Sequence, residues 1–180
     1  RSSTALATSP DGVSFTDLGT VMDVGGAWQW NWDTATELDH QLGQADTGGW
    51  SASTDLDPSG YLAYGPYVST LPAGPMTVSF QLMVDNNSAD NLPVVSLDVF
   101  DSTAGAILAQ RDVLRGEFAA SWQLQPFNLS YTQVAGHTLE FRTFYYDVSY
   151  VRQAEVGVSQ GEAPFSDDRL ASFPGIWKDG

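Results

Sequence analysis

Apolar and polar side chains alternate with a period of two along most of this chain, which is the signature of half-buried strands. In Thr77 to Val84, the residues Val78, Phe80, Leu82 and Val84 fall on one face, opposite Thr77, Ser79, Gln81 and Met83. Val95, Leu97 and Val99 repeat the pattern before the turn Asp101-Ser102-Thr103-Ala104-Gly105, and Ile107 to Arg111 returns from it as a hairpin. Trp122 to Tyr131 reads as a further strand, in which Pro126 removes a backbone donor and predicts an edge or a bulge. Leu139 to Tyr146 and Tyr150 to Val158 form a last pair around Asp147-Val148-Ser149. With Trp28 to Trp32 and Tyr61 to Tyr67, about eight to ten strands are predicted. The expected fold is an all-β, two-sheet antiparallel β-sandwich of jelly-roll type.

Both ends depart from this pattern. Residues 1–26 read as an extension in which Ser9-Pro10-Asp11-Gly12 turns a small hairpin, with Val21 to Val24 pairing back. The sandwich is expected over 27–160. Residues 161–180 mix Pro164, Pro174 and Asp167-Asp168 with Phe165, Phe173 and Trp177, as in a packed tail or a linker.

Composition narrows the partners. The chain has 180 residues, a formal charge of −15 and no cysteine. Such an acidic surface repels nucleic acid, and no apolar run is long enough for membrane insertion. Disulfides, thiolate metal sites and cysteine nucleophiles are excluded. A start at Arg1, without methionine or an apolar signal core, suggests a mature or excised fragment. Two glycosylation tripeptides, Asn86-Asn87-Ser88 and Asn128-Leu129-Ser130, are too short to carry weight.

The chemistry on offer is aromatic rather than catalytic. Trp28, Trp30 and Trp32 share one face of an extended segment, as a sugar-stacking platform or as core. Trp50, Tyr61, Tyr64, Tyr67, Trp122, Tyr145, Tyr146 and Tyr150 fall at predicted loops or strand ends, where rings offer wide contact area at low entropic cost. The polar run Asp85 to Asn91, with Asn86 and Asn87, suits sugar hydroxyls or Ca²⁺ oxygen ligation, and equally a solvated turn. Nucleophile, zinc-protease and phosphate-loop motifs are absent, and His40 and His137 are the only histidines.

Taken in order, Glu37-Leu38-Asp39-His40, Tyr61 to Tyr67, Leu71 to Phe80, Leu97 to Asp101, Trp122-Gln123, Leu139 to Arg142 and Val156 to Val158 resemble the β-sandwich carbohydrate-binding modules of families 6 and 35. The resemblance implies a non-catalytic glycan-binding module, secreted or on the cell surface, attached to other domains of a larger carbohydrate-active polypeptide. It nominates Trp122, Tyr145, Tyr146 and Asp147 for the ligand and Glu37, Asp39 and Glu155 for a structural Ca²⁺. Two rivals are weighed against it. One is a jelly-roll polysaccharide lyase or glycosidase, with Tyr145 or Tyr146 as base and Arg142 as charge neutraliser. The other is a structural or adhesive sandwich domain.

Overall fold

The computed structural model describes residues 29–161, together with the backbone of two strands near the N-terminus. These two, β1 (Ala5–Thr8) and β2 (Thr16–Thr20), pair antiparallel. The hairpin expected there is present, but its return strand is β2; Val21 to Val24, the tail and Trp28 lie outside the described residues.

The remaining strands form an antiparallel sandwich. Sheet one holds β10 (Ala106–Leu114), β9 (Pro93–Asp101), β12 (Leu139–Tyr145) and β6 (Gly60–Ala63) in that order, with β7 (Pro66–Val68) also on the free side of β12. Sheet two runs β11 (Gln125–Gln133), β8 (Gly74–Val84), β13 (Val151–Gln160), β5 (Gly49–Ala52) and β4 (Gln44–Asp46), with β3 (Trp30–Asp33) beside β5 along β13. From β8 onward the chain passes between the sheets, as a jelly roll does: β8 in sheet two, β9 and β10 in sheet one, β11 in two, β12 in one and β13 in two.

Inward side chains build the core. Val78, Phe80, Leu82 and Val84 of β8 are fully buried against Val95, Leu97 and Val99 of β9 and Leu139 and Phe141 of β12. At roughly 25 cal/mol per Å² of apolar surface removed from water, this layer is what drives the two sheets together. A polar bridge crosses it: Thr143 Oγ1 donates to Gln153 Oε1 (2.5 Å), and Gln153 Nε2 donates to Thr34 Oγ1 (3.2 Å). Each group is buried, so each needs its partner. Pro126 lies on β11, the edge of sheet two, where its missing N–H costs no ladder bond. Gly49 is demanded by close approach, since a Cβ there would lie 2.1 Å from the Gln153 carbonyl oxygen.

Three local expectations change. β12 and β13 do not pair with each other, because the link 146–150 carries the chain from one sheet to the other. Trp122 precedes β11 instead of belonging to it. Glu37 and Asp39 do not open a strand: Glu37 ends the one-turn helix α1 (Thr34–Glu37), and Asp39 makes an isolated bridge to Tyr64. Asp33 starts that helix by accepting from the N–H groups of Ala35 (2.9 Å) and Thr36 (3.1 Å).

Candidate functional site

Parity along β12 decides what faces out. Leu139, Phe141, Thr143 and Tyr145 point into the core, so Glu140, Arg142, Phe144 and then Tyr146 point away from it. Across the sheet, Asp98 and Phe100 of β9 and Tyr61 of β6 lie on the same outer face. Arg142 is the centre of this surface. Its Nε donates to Asp98 Oδ1 (2.8 Å) and its Nη2 to Asp98 Oδ2 (3.2 Å), a bidentate pair. The guanidinium carbon lies 4.1 Å from the Phe100 ring centroid and 5.4 Å from that of Tyr61.

Beside this arginine the face dips into an open depression of about 250 Å³, lined by Gln41, Tyr61, Tyr64, Tyr67, Glu140 and Arg142. Drug-sized pockets run to roughly 300–1,000 Å³, so this one suits a small ring. Its walls are held by main chain. The segment before β4 is bound to β6 through Asp39 N–H to the Tyr64 carbonyl and Tyr64 N–H to the Asp39 carbonyl (2.9 Å each). Gln41 Oε1 accepts from Tyr61 N–H (2.9 Å), and Phe141 N–H donates to the Gly65 carbonyl (2.6 Å). Tyr67 is 47% exposed and sits at φ +62°, a left-handed conformation that is costly for a bulky residue.

The tyrosines divide by their hydroxyls. Those of Tyr145, Tyr146 and Tyr150 donate to the Ser149 carbonyl, Asp112 and Asp46. Those of Tyr61, Tyr64 and Tyr67, all lining the depression, have no hydrogen-bond partner among the described residues, and neither has the Glu140 carboxylate. Burial raises the pKa of Glu140, helped by the charges of Asp98 and Asp39 and opposed by Arg142. Burial likewise raises Asp98, against the pull of Arg142.

A second aromatic surface lies on the rim of the sandwich. Trp122 is 62% exposed at φ +60°, anchored by its N–H to the Val84 carbonyl (2.7 Å), with its ring 5.3 Å from that of Tyr150. Tyr150 donates to Asp46 Oδ2 (2.6 Å), and Asp46 also accepts from Thr47 N–H (2.6 Å). These bonds hold Asp46 below the usual carboxylate range. The Tyr150 phenol is pushed up to about 12, by burial and by that same carboxylate. Asp147, exposed at φ +60°, lies in the neighbouring link. Tyr67, Trp122 and Asp147 are the non-glycine residues with positive φ among the described residues, and each belongs to one of these two surfaces.

Beneath the rim, Arg115 is buried and acts as a hub. Its Nε donates to Asp90 (2.8 Å), its Nη1 to the Asn86 carbonyl (3.1 Å) and Ser149 Oγ (2.9 Å), and its Nη2 to the Val148 carbonyl. The polar run 85–91 is engaged internally in the same way. Asn86 Oδ1 accepts from Ser88 and Ala89 N–H, while Asn87 donates to the Phe118 carbonyl and accepts from Ser121 Oγ. This is the solvated-turn arrangement: both side-chain groups of Asn87 are engaged internally, while Asn86 is exposed and uses only its Oδ1 within the turn.

Several nominated residues therefore move. Tyr145 is fully buried, its hydroxyl on the Ser149 carbonyl, and cannot meet a ligand. Trp50 is not in a loop: it lies on β5, stacked 3.8 Å from His40, with Nε1 donating to the Leu42 carbonyl. Tyr64 lines the depression, and Tyr146 lies on the same sheet face near Phe144. Trp122 and Asp147 stay on the rim. Trp30 and Trp32 pack against the core, which favours the buried reading for those two. His40 Nδ1 donates to the Leu62 carbonyl (2.8 Å), and His137 Nδ1 bonds Asp101 (2.7 Å); both are local structural contacts. Of the carboxylates nominated for Ca²⁺, Glu37 closes α1, Asp39 follows it, and Glu155 lies on β13 opposite Asp33. Glu37 accepts from Asp33 N–H, and no group of three or more His, Asp or Glu among the described residues is placed to hold a metal ion.

The sequence named Tyr61, Tyr67 and Tyr150 among its candidate rings, but not Gln41 or Glu140, nor that these two share a depression with Tyr61, Tyr64 and Tyr67. The parity of Glu140 and Arg142 against Leu139 and Phe141 was the available signal.

No family model matches the chain, and no curated protein matches it. Among solved structures, the chain is similar to a family 6 carbohydrate-binding module of Cellvibrio mixtus lichenase 5A in complex with cellotriose. That likeness has 10% identity and a TM-score of 0.46, over 75% of this chain and 99% of that one. It is also similar to the C-terminal family 6 module of a laminarinase from Zobellia galactanivorans (9% identity, TM-score 0.45, 74% and 94% covered). A family 35 module from an environmental isolate matches at 13% identity and TM-score 0.43, with 76% and 100% covered.

Proposed function

We propose that this domain binds glycans without cleaving them, as one part of a larger secreted or surface carbohydrate-active polypeptide. The observation that carries the reading is the depression on sheet one. Three tyrosines whose hydroxyls have no partner among the described residues stand there around Gln41, Glu140 and Arg142. Flat rings take the C–H faces of a pyranose, and amide, carboxylate and phenol groups take its hydroxyls. The rings continue along the face through Tyr61, Phe144 and Tyr146, each edge to face with the next at 5.4 Å. From Glu140 to Tyr146 the strand advances roughly 20 Å, room for more than one sugar. Trp122 and Tyr150 form a separate aromatic surface on the rim.

A lyase reading is poorly supported. Tyr145 is in the core, Tyr146 is raised by burial and by its bond to Asp112, and Arg142 is committed to Asp98. A base needs a phenol moved the other way.

Affinity electrophoresis in gels containing a panel of polysaccharides, run beside a reducing-end assay, tests the proposal. Retardation without release of reducing ends is expected. Absence of retardation in every gel, or release of reducing ends, would overturn it.

A further inference from the structure

The charges around the depression are unequal, and this selects among glycans. Arg142 is neutralised by a bidentate bond to Asp98, which leaves its Nη1 without a partner among the described residues. Glu140 lines the depression beside Arg142, whose charge acts on it, but makes no ion pair or hydrogen bond with it among the described residues. Asp39 is close enough that its charge acts on both Glu140 and Tyr67. Counting Arg142, Asp98, Glu140 and Asp39, the immediate surroundings carry two negative charges more than positive. The rest of the chain adds to the same sign, at −15 overall. The Glu140 carboxylate is half-buried and accepts no hydrogen bond among the described residues, and Tyr61, Tyr64 and Tyr67 line the depression with it, aromatic rings whose faces attract cations.

We propose that the depression recognises an amino sugar bearing a free, protonated amine, with the ammonium group on Glu140 and the sugar ring against Tyr61, Tyr64 and Tyr67. This deepens the glycan-binding reading and rests on it. Uronic acids and sulfated sugars would meet Glu140 and Asp39 with like charge and are disfavoured. Burial keeps the Glu140 carboxyl above its ordinary pKa, and a bound ammonium would reverse that cost.

The test is isothermal titration calorimetry with two β-1,4-linked glucosamine hexamers, one fully deacetylated and one fully N-acetylated, on the native domain and on Glu140→Gln. The native domain should bind the deacetylated hexamer at least about tenfold more tightly, equivalent to about 1.4 kcal/mol. In Glu140→Gln that ratio should fall towards one, whatever happens to either affinity. Equal affinities in the native domain, preference for the acetylated hexamer, or a ratio unchanged in Glu140→Gln would each overturn the inference. So would poly-lysine binding as tightly as the deacetylated hexamer, since the site would then read charge and not sugar. If the native domain binds neither hexamer but is retarded by a neutral polysaccharide, the amine inference fails and glycan binding stands. If nothing binds, the glycan reading itself fails.

Discussion

The two aromatic surfaces each rest on an arginine, and the arginines are used differently. Under the rim, Arg115 directs all three guanidinium nitrogens to protein acceptors, and the carboxylate beside Tyr150 is satisfied by two donors. In the depression, Arg142 directs two nitrogens to Asp98, while Glu140 and three phenols keep their capacity. Their carboxylates shift accordingly, Asp46 downward and Glu140 upward. The rim is a closed network that holds an exposed ring in place. The depression is an open one, with hydrogen-bonding capacity that a ligand can complete.

That contrast can be broken most forcefully at its closed end. Arg115→Ala removes a buried cation and leaves the Val148 and Asn86 carbonyls without their donor. Denaturant unfolding should show a loss of about 2–3 kcal/mol. A loss below about 1 kcal/mol would mean the hub is not structural.

At the open end, the paired substitution Tyr61→Ala with Tyr64→Ala should cost at least about 2 kcal/mol of glycan affinity, roughly thirtyfold, by calorimetry. Stability should change less there than in Arg115→Ala, because the rings are only half buried. Trp122→Ala should weaken binding by no more than about 1 kcal/mol if the rim is an accessory surface.

Backbone strain sharpens the comparison further. Trp122 has φ +60°, a conformation that Gly adopts without penalty and Ala does not. Trp122→Gly should therefore be about 1 kcal/mol more stable than Trp122→Ala in thermal melts. Equal stabilities would show that the loop relaxes out of this conformation once the indole is gone.

The smallest effect is in pH. The pKa of Asp46 is lowered by Tyr150 and Thr47, and that of Asp90 by Arg115 and Leu92. For Asp101, burial works upward but is outweighed by His137 and the Ala104 N–H. A carboxylate lowered in the folded state stabilises it above the unfolded pKa, and this is lost as pH falls through the folded value. The raised Asp98 and Glu140 act in reverse, so their protonation favours the folded state just above the ordinary carboxylate range. Tm should hold or rise slightly as pH is lowered to about 5, then fall below about 4. A steady fall from neutral pH downward would contradict these directions.

The strands were legible where the period was clean. Val78 to Val84 and Val95 to Val99 show their buried faces in the sequence, and Pro126 marks its edge. Sheet membership was not legible, because a short polar link such as Asp147-Val148-Ser149 can turn a hairpin or carry the chain across a sandwich. The depression was hidden for a related reason. Tyr61, Tyr64 and Tyr67 are spaced by three, and the break at Tyr64-Gly65 between β6 and β7 brings them to one place. Tyr145 shows the opposite error, since its parity with Leu139 and Phe141 already assigned it to the core.

The most direct test is a ¹H–¹⁵N NMR titration with a polysaccharide-derived oligosaccharide that the domain retains. Glycan binding in the depression predicts that the largest amide shifts fall at 39–41, 61–67 and 139–142, with smaller ones along β12 towards Tyr146. Shifts confined to 119–123 and 146–152, or none at saturating ligand, would contradict it.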